Sequence, residues 1–149
     1  MLKEDDMAFV HTFVVAAIFS ATTPPAPPQS VAHTLMFRTS LASFVAASHS
    51  TMRDHRLDWS TDGCSAPIVG STGRTFNFTH ACQRHDFGYR NFKALQGGKW
   101  WTPTLRHRID QVFLSDMYRH CATRSRTTRH MCRTWAKTFY RAVRTYAGS

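Results

Sequence analysis

The stretch CQRHDFGYR, residues 82–90, places a histidine directly before an aspartate and a cysteine three residues earlier. Threonine is a good helix N-cap, so the stretch is predicted to lie in a helix from about Thr79 to Phe92. In that helix Cys82 lies about one turn from both His85 and Asp86. His85 and Asp86 themselves diverge by about 100°, so they flank one groove without forming a hydrogen-bonded pair.

The rest of the folded chain also has a helical pattern. Apolar residues at helical spacing predict one amphipathic helix across residues 37–48. Thr102 followed by Pro103 predicts the start of a helix that runs to about Cys121. A last helix carries its stripe from Trp135 to Tyr146, and no segment shows convincing strand alternation. We therefore predict an all-α fold: a small helical domain with two roughly antiparallel central helices and two disulfides.

The cysteines favour disulfides over a metal site. There are four, an even number, and none lies in the first 63 residues. No pair has the C-x-x-C spacing that a zinc site would want, whereas two bridges suit a secreted protein. The segment ATRSRTTRHM between the last two cysteines is predicted to be a basic loop. The four residues are Cys64, Cys82, Cys121 and Cys132.

The N-terminal segment favours secretion. Residues 8–19 read AFVHTFVVAAIF, an apolar run that is too short to span a bilayer and fits a signal-peptide core. The acidic start MLKEDDM departs from a signal peptide, although a start at Met7 would remove the acids. The alternative is a mobile cytosolic tail. We expect residues 1–30 to be a signal peptide and Pro-rich leader and residues 31–149 to be the catalytic domain of an extracellular protein.

The charge is strongly basic and unevenly distributed. The formal net charge is +10, and residues 101–149 alone hold ten Lys and Arg against two Asp and Glu. Such a surface attracts polyanions, which include nucleic acid, heparin-like polymers and anionic lipid headgroups. Charge by itself does not choose among these partners.

The loop before the predicted central helix supplies a possible cation site. If Cys82 bonds to Cys64, their Cα atoms lie within about 7 Å of each other, which fixes Asp62 close to Asp86. Two carboxylates held together repel each other unless a cation lies between them. The backbone carbonyl of Gly63 supplies a further oxygen, and ligands that are all oxygens suit calcium.

A histidine about one helical turn from that site indicates a hydrolase. A neutral His85 can take a proton from water, while calcium polarises an ester carbonyl and stabilises the oxyanion. Two residues of the next helix are candidates for holding its other ring nitrogen, Asp110 and Asp116. The helical wheel makes Asp116 the more buried, but an aspartate that deep usually caps a backbone group or pairs with an arginine. Periodicity leaves both candidates open.

Four segments carry a resemblance to a known family. LDWSTDGCS, ACQRHDFGYRNF, RIDQVFLSDMYRHC and WAKTFYRAV occur in the order, and with roughly the spacing, of the secreted phospholipase A2 family of bacteria and fungi. The resemblance covers about Leu57 to Tyr146 and rests on a specific combination of motifs. The segment ALQGGKWWTPTLRH looks longer than is usual in the family, and the first 56 residues show little to match beyond a helix.

The resemblance implies an activity and roles for two residues. It implies a secreted, calcium-dependent enzyme that cleaves the sn-2 ester of glycerophospholipids at membrane surfaces or micelles, as a monomer without an obligate protein partner. His85 matches the catalytic histidine that activates water. Asp110, the aspartate of RID, matches the residue that orients the imidazole and stabilises its charged form.

The resemblance also implies the metal ligands and the disulfide pairing. Asp62 and Asp86 match the carboxylates that bind calcium, and Gly63 matches the position that gives a backbone carbonyl. The implied disulfides pair Cys64 with Cys82 and Cys121 with Cys132.

A different class of function is the alternative. A non-enzymatic, disulfide-linked basic protein would bind anionic membranes or nucleic acid, with binding that weakens steeply with salt and does not depend on calcium. The arginines concerned would be Arg124, Arg126, Arg129, Arg133 and Arg141. If the protein is an enzyme, the same basic surface would attract it to anionic membranes.

The aromatic residues near the site can be explained by ordinary packing as well as by a functional role. Tyr89, one turn after His85 on the inward face, is predicted to pack in the core, although its hydroxyl needs a partner if it is buried. Trp100 and Trp101 fit either an anchor at a membrane interface or ordinary packing.

Overall fold

The computed structural model describes residues 24–64, 72–73 and 76–147. The predicted signal-peptide core at residues 8–19 lies outside them. No helix in the described ranges is both long enough and apolar enough to cross a bilayer. The elements in chain order are α1 (Pro28–Phe37), α2 (Leu41–His49), β1 (Thr72–Gly73), β2 (Phe76–Asn77), α3 (Thr79–Ala94), a 3₁₀ turn (Leu95–Gly98), α4 (Pro103–Ala122) and α5 (Arg126–Tyr146).

The predicted all-α class is confirmed. Within the described residues the only strands are β1 and β2, which pair antiparallel over two residues each. α1 begins at Pro28, so the last three residues of the predicted leader are helical. Proline suits that position because the first helical N–H has no partner within the helix in any case.

The prediction of one helix across residues 37–48 was wrong, because the helical structure is interrupted between the end of α1 at Phe37 and the start of α2 at Leu41. The Ser40 hydroxyl accepts a hydrogen bond from the Ser43 backbone N–H at 3.1 Å and caps the start of α2. The break frees the carbonyl of Thr39, and Arg84 of α3 donates to it at 2.6 Å. Both short helices contact α3, which is why their apolar positions resemble one continuous stripe.

α3 and α4 form the antiparallel centre of the fold, as predicted. Arg84 early in α3 pairs with Asp116 late in α4, whereas Tyr89 further along α3 meets Arg106 near the start of α4. The predicted cap of α4 is confirmed, because the Thr102 hydroxyl accepts from a backbone N–H one turn into the helix at 3.1 Å.

Both predicted disulfides are present, but the basic segment between the last two cysteines is not a loop. Cys64–Cys82 and Cys121–Cys132 have Cα–Cα separations of 5.3 and 5.5 Å. α5 begins at Arg126, six residues before its cysteine. No glycine or proline interrupts this segment, and the Arg129 N–H donates to the Ser125 carbonyl at 2.7 Å to start the helix.

Two buried clusters lie on either side of α3. One surrounds the disulfides between α3, α4 and α5, and the other joins α1 and α2 to α3. Gly88 allows the close approach: a Cβ there would lie 2.8 Å from Met36 Sδ and 3.1 Å from Ile109 Cγ2. The missing side chain therefore lets α3 pack tightly on both α1 and α4, one helical turn after His85.

Candidate active site

The histidine of the opening stretch faces α4 and meets an aspartate there. His85 Nε2 lies 2.8 Å from Asp110 Oδ1, and the two side chains are 3% and 0% exposed. The rings of Tyr89 and Phe113 lie beside the imidazole, with centroid distances of 4.3 and 4.8 Å. The structure thus brings together the two residues that the resemblance pairs.

Asp116, the other candidate, is buried but has a different partner. Arg84 Nε donates to Asp116 Oδ2 at 2.9 Å, and a second guanidinium N–H contacts Oδ1. Burial raises the pKa of Asp116, and the Arg84 hydrogen bond opposes that shift. Arg84 and His85 are consecutive, so they diverge by about 100° and reach different aspartates of α4.

Asp110 receives hydrogen bonds from three sides. Besides His85, the Tyr89 hydroxyl donates to Oδ1 at 2.7 Å and Arg144 Nη1 donates to Oδ2 at 2.7 Å. Burial disfavours the charged form, but the hydrogen bonds from His85, Arg144 and Tyr89 outweigh it and lower the pKa of Asp110. The carboxylate is therefore an anion at neutral pH.

The sequence did not predict that Tyr89 and Arg144 contact the Asp110 carboxylate, or that Arg106 contacts both of them. Burial raises the pKa of Tyr89, so its phenol stays protonated and able to donate. Arg106 Nε donates to the Tyr89 oxygen at 3.1 Å, and its Nη2 donates to the Arg144 carbonyl at 2.7 Å. The spacing of Tyr89, one turn from His85, offered a signal for the first of these partners. Nothing in the sequence singles out Arg144, which lies 34 residues from Asp110.

His85 lines an open cleft of about 530 Å³. One part of its lining is acidic, with Asp62 and Asp86, and another is apolar and comes from the end of α5. The volume is within the range of small-molecule sites, roughly 300–1,000 Å³. The apolar residues are Val143, Tyr146 and Ala147.

The loop at residues 61–63 folds over the carboxylate of Asp86. Asp86 Oδ2 accepts from the Thr61 hydroxyl at 2.5 Å and from the N–H groups of Asp62 and Gly63 at 3.1 and 3.3 Å. Gly63 has a φ of 71°, a left-handed conformation that suits glycine. The Cys64–Cys82 bridge joins this loop to α3 next to Asp86, so the tight local geometry follows from the disulfide.

The two carboxylates at the cleft differ in environment. Burial raises the pKa of Asp86, the Thr61 hydrogen bond opposes this, and the charge of Asp62 adds to it. The Asp62 side chain is 56% exposed, and its Oδ2 lies 3.5 Å from Arg90 Nη2. The described part of the chain contains no group of three or more His, Cys, Asp or Glu side chains placed to hold a metal. A cation here would therefore rest on two carboxylates, backbone oxygens and water.

Fold and site together define a small, disulfide-linked helical protein whose buried His–Asp pair opens onto a cleft with two carboxylates, an arrangement suited to hydrolysis by an activated water. The sequence profile of the family described as prokaryotic phospholipase A2 matches residues 32–147, and the chain belongs to that family.

Two named relatives are similar to the chain. It is 34% identical over 134 residues to a protein named secretory phospholipase A2 from Beauveria bassiana, a match that covers 90% of this chain and 66% of the relative. It is also 34% identical over 118 residues to a secretory phospholipase A2 from Arthroderma benhamiae, covering 77% of this chain and 76% of that one. The chain thus spans somewhat less than two thirds of the first relative's length.

Proposed function

We propose that the chain is a secreted, calcium-dependent phospholipase A2 that hydrolyses the sn-2 ester of glycerophospholipids. The observation that carries the proposal is the hydrogen bond between His85 and Asp110 at a cleft that Asp62 and Asp86 also line. Family membership and the names of both relatives support the activity and the secretion.

The proposed reaction needs one proton relay and no covalent intermediate. Because Asp110 engages Nε2 of His85, Nδ1 is the ring nitrogen left to take a proton from water. The hydroxide so formed attacks the ester carbonyl carbon, and the C–O bond to the glycerol oxygen breaks. His85 then gives its proton to that oxygen, which leaves a lysophospholipid and a fatty acid. The anionic Asp110 stabilises the charged imidazole between the two proton transfers.

Tyr89 and Arg144 act through Asp110. Their hydrogen bonds fix the orientation of the carboxylate and keep it ionised, so Asp110 holds the tautomer that His85 needs. They are positioning residues, since neither contacts the imidazole nitrogens.

The acidic part of the cleft fits calcium. Its donor set is oxygen only, and the mutual repulsion that helps raise the pKa of Asp86 is what a cation would remove. Asp62 and Asp86 would hold the ion with the carbonyl of Gly63. Bound calcium supplies a Lewis acid for phosphate and carbonyl oxygens.

The apolar lining at the end of α5 suits an acyl chain. Val143, Tyr146 and Ala147 give the fatty ester a surface of low polarity beside His85. The substrate is a phospholipid surface or micelle, and the net charge of +10 favours an anionic one. The enzyme acts as a monomer.

The test is hydrolysis of a phospholipid labelled separately at its two acyl positions. We expect release of the sn-2 label only, with loss of activity in a calcium chelator and in His85→Ala. The matched control is His107→Ala, an exposed histidine of α4, which should keep full activity. Release of the sn-1 label, or activity that survives both chelator and His85→Ala, would contradict the proposal.

A second candidate, a non-enzymatic protein that binds polyanions, is favoured by one feature. Five cations follow one another at three- or four-residue spacing on the exposed side of α5. Binding to anionic vesicles that falls steeply with salt, in a chain without esterase activity at any calcium concentration, would support this candidate instead. The five are Arg126, Arg129, Arg133, Lys137 and Arg141.

A further inference from the structure

A second groove, apart from the active-site cleft, lies between α1, the segment after the 3₁₀ turn and the start of α4. Its volume is about 670 Å³, and within the described part of the chain the two share no lining residue. Phe92, Trp100 and Leu105 give it an apolar surface. Trp100 is 45% exposed whereas Phe92 is 3% exposed, so the apolar surface of the groove that faces solvent is mainly that of Trp100.

Cationic and polar groups lie around the same apolar surface. Lys99, Arg108 and His33 line the groove, and among the residues that the structure describes no acidic one does. Arg108 stacks over the Phe37 ring with its guanidinium carbon 4.6 Å from the centroid, which holds this cation beside the groove. Burial, followed by the charges of Arg108 and Arg38, lowers the pKa of His33, so His33 is neutral at neutral pH and the cations that line the groove are Lys99 and Arg108.

We propose that this groove binds one long-chain fatty carboxylate. Apolar surface with cations around it complements an anionic head on a single apolar chain, and the volume is within the range of small-molecule sites, roughly 300–1,000 Å³. A neutral lipid would bring no negative charge to these cations, whose ring contacts supply none, and a bulky polyanion would leave the apolar surface exposed. The inference does not rest on the proposed function, because it concerns binding and not hydrolysis.

The adjacent tryptophans report separately on the two sites. Trp100 lines this groove, whereas the Trp101 ring packs edge-on against Tyr89 of the active-site network at a centroid distance of 4.8 Å. Their indole N–H signals therefore distinguish a ligand in the groove from one in the cleft.

The experiment is a titration of the full chain with oleate below its micelle concentration, followed by the indole N–H signals in two-dimensional NMR. EDTA is present, so that no cation in the cleft attracts the carboxylate. We expect saturation at one oleate per chain, with the largest shift at Trp100. Arg108→Gln should weaken binding by roughly tenfold or more, as expected for loss of one charge-assisted contact. Arg108→Lys should retain most of the affinity, and Arg126→Gln, which changes an exposed arginine of α5, should retain all of it.

Several outcomes would overturn the proposal. Absence of saturable binding would refute the site, and a shift at Trp101 without one at Trp100 would place the ligand in the cleft. Equal affinity for oleyl alcohol would refute recognition of the carboxylate, as would unchanged affinity in Arg108→Gln. None of these results depends on esterase activity, so they are separate from failure of the proposed function.

Discussion

Replacement of Arg144 by glutamine removes the cation beside the most buried carboxylate of the site. Arg144 Nη1 lies 2.7 Å from Asp110 Oδ2, and the two side chains are 35% and 0% exposed. A hydrogen bond to a charged group contributes about 1.5–3 kcal/mol, and the partial exposure of the arginine reduces this through solvent screening. His85 and Tyr89 still contact the carboxylate in the variant. We therefore expect Arg144→Gln to lower the free energy of unfolding by about 1–2 kcal/mol at neutral pH.

The loss should depend on pH in a defined direction. Against the effect of burial, the hydrogen bonds from His85, Arg144 and Tyr89 hold the folded-state pKa of Asp110 below its ordinary value of 3.8. A lowered folded-state pKa adds stability above the unfolded-state value, and this stability is lost as the pH falls through the folded-state pKa. The difference between wild type and Arg144→Gln should therefore be complete at neutral pH and shrink as the pH falls below 3.8.

Urea denaturation at a series of pH values measures both effects. Arg141→Gln is the matched control, because Arg141 lies on the exposed side of the same helix. It should change the free energy of unfolding by no more than about 0.5 kcal/mol. Equal losses in the two variants, or a loss in Arg144→Gln that persists undiminished in acid, would refute the assigned role of the ion pair.

Three further predictions concern neighbouring parts of the fold. Asp116→Ala leaves Arg84 buried without its carboxylate and should cost about 3–5 kcal/mol of unfolding free energy by urea denaturation; a loss below about 1 kcal/mol would contradict a buried pair. Gly88→Ala forces a Cβ to within 2.8 Å of Met36 Sδ and 3.1 Å of Ile109 Cγ2; the strain of about 1–3 kcal/mol, less about 1 kcal/mol that alanine gains over glycine in a helix, should still lower the unfolding free energy, by up to about 2 kcal/mol, so an unchanged or raised thermal midpoint would count against the close packing. Asp62→Asn removes one proposed ligand charge and should raise the calcium concentration for half-maximal hydrolysis at least severalfold, whereas an unchanged calcium response would exclude Asp62 from the metal site.

The sequence predicted the parts of the fold that depend on local signals. The start of α4 was predictable because Thr102 and Pro103 act within one helical turn. The break between α1 and α2 was not, because a single apolar stripe describes one helix or two with the same inward face. The helical start of α5 was missed for a related reason: residues 123–130 are all polar, so apolar periodicity carries no signal there.

The candidate site divides in the same way. The proximity of Asp62 to Asp86 was predictable, since a bridge between Cys64 and Cys82 brings their loop and helix together at a known distance. The choice between two aspartates of α4 was not available from a helical wheel, because both are buried and the wheel cannot say which basic residue each one meets. The contact between Arg144 and Asp110 could not be predicted from the sequence, since it depends on how α5 packs across α4.

The contacts of three consecutive residues fix the rotation of α3. Arg84 pairs with Asp116, His85 with Asp110, and Asp86 with the loop at residues 61–63. Successive side chains diverge by about 100°, so these contacts hold the helix from three directions. A shift of α3 by one residue would place Arg84 or Asp86 at the position of His85 and break all three contacts at once. The buried charges beside His85 therefore specify where its imidazole lies, a role that an apolar core of the same volume would not fulfil.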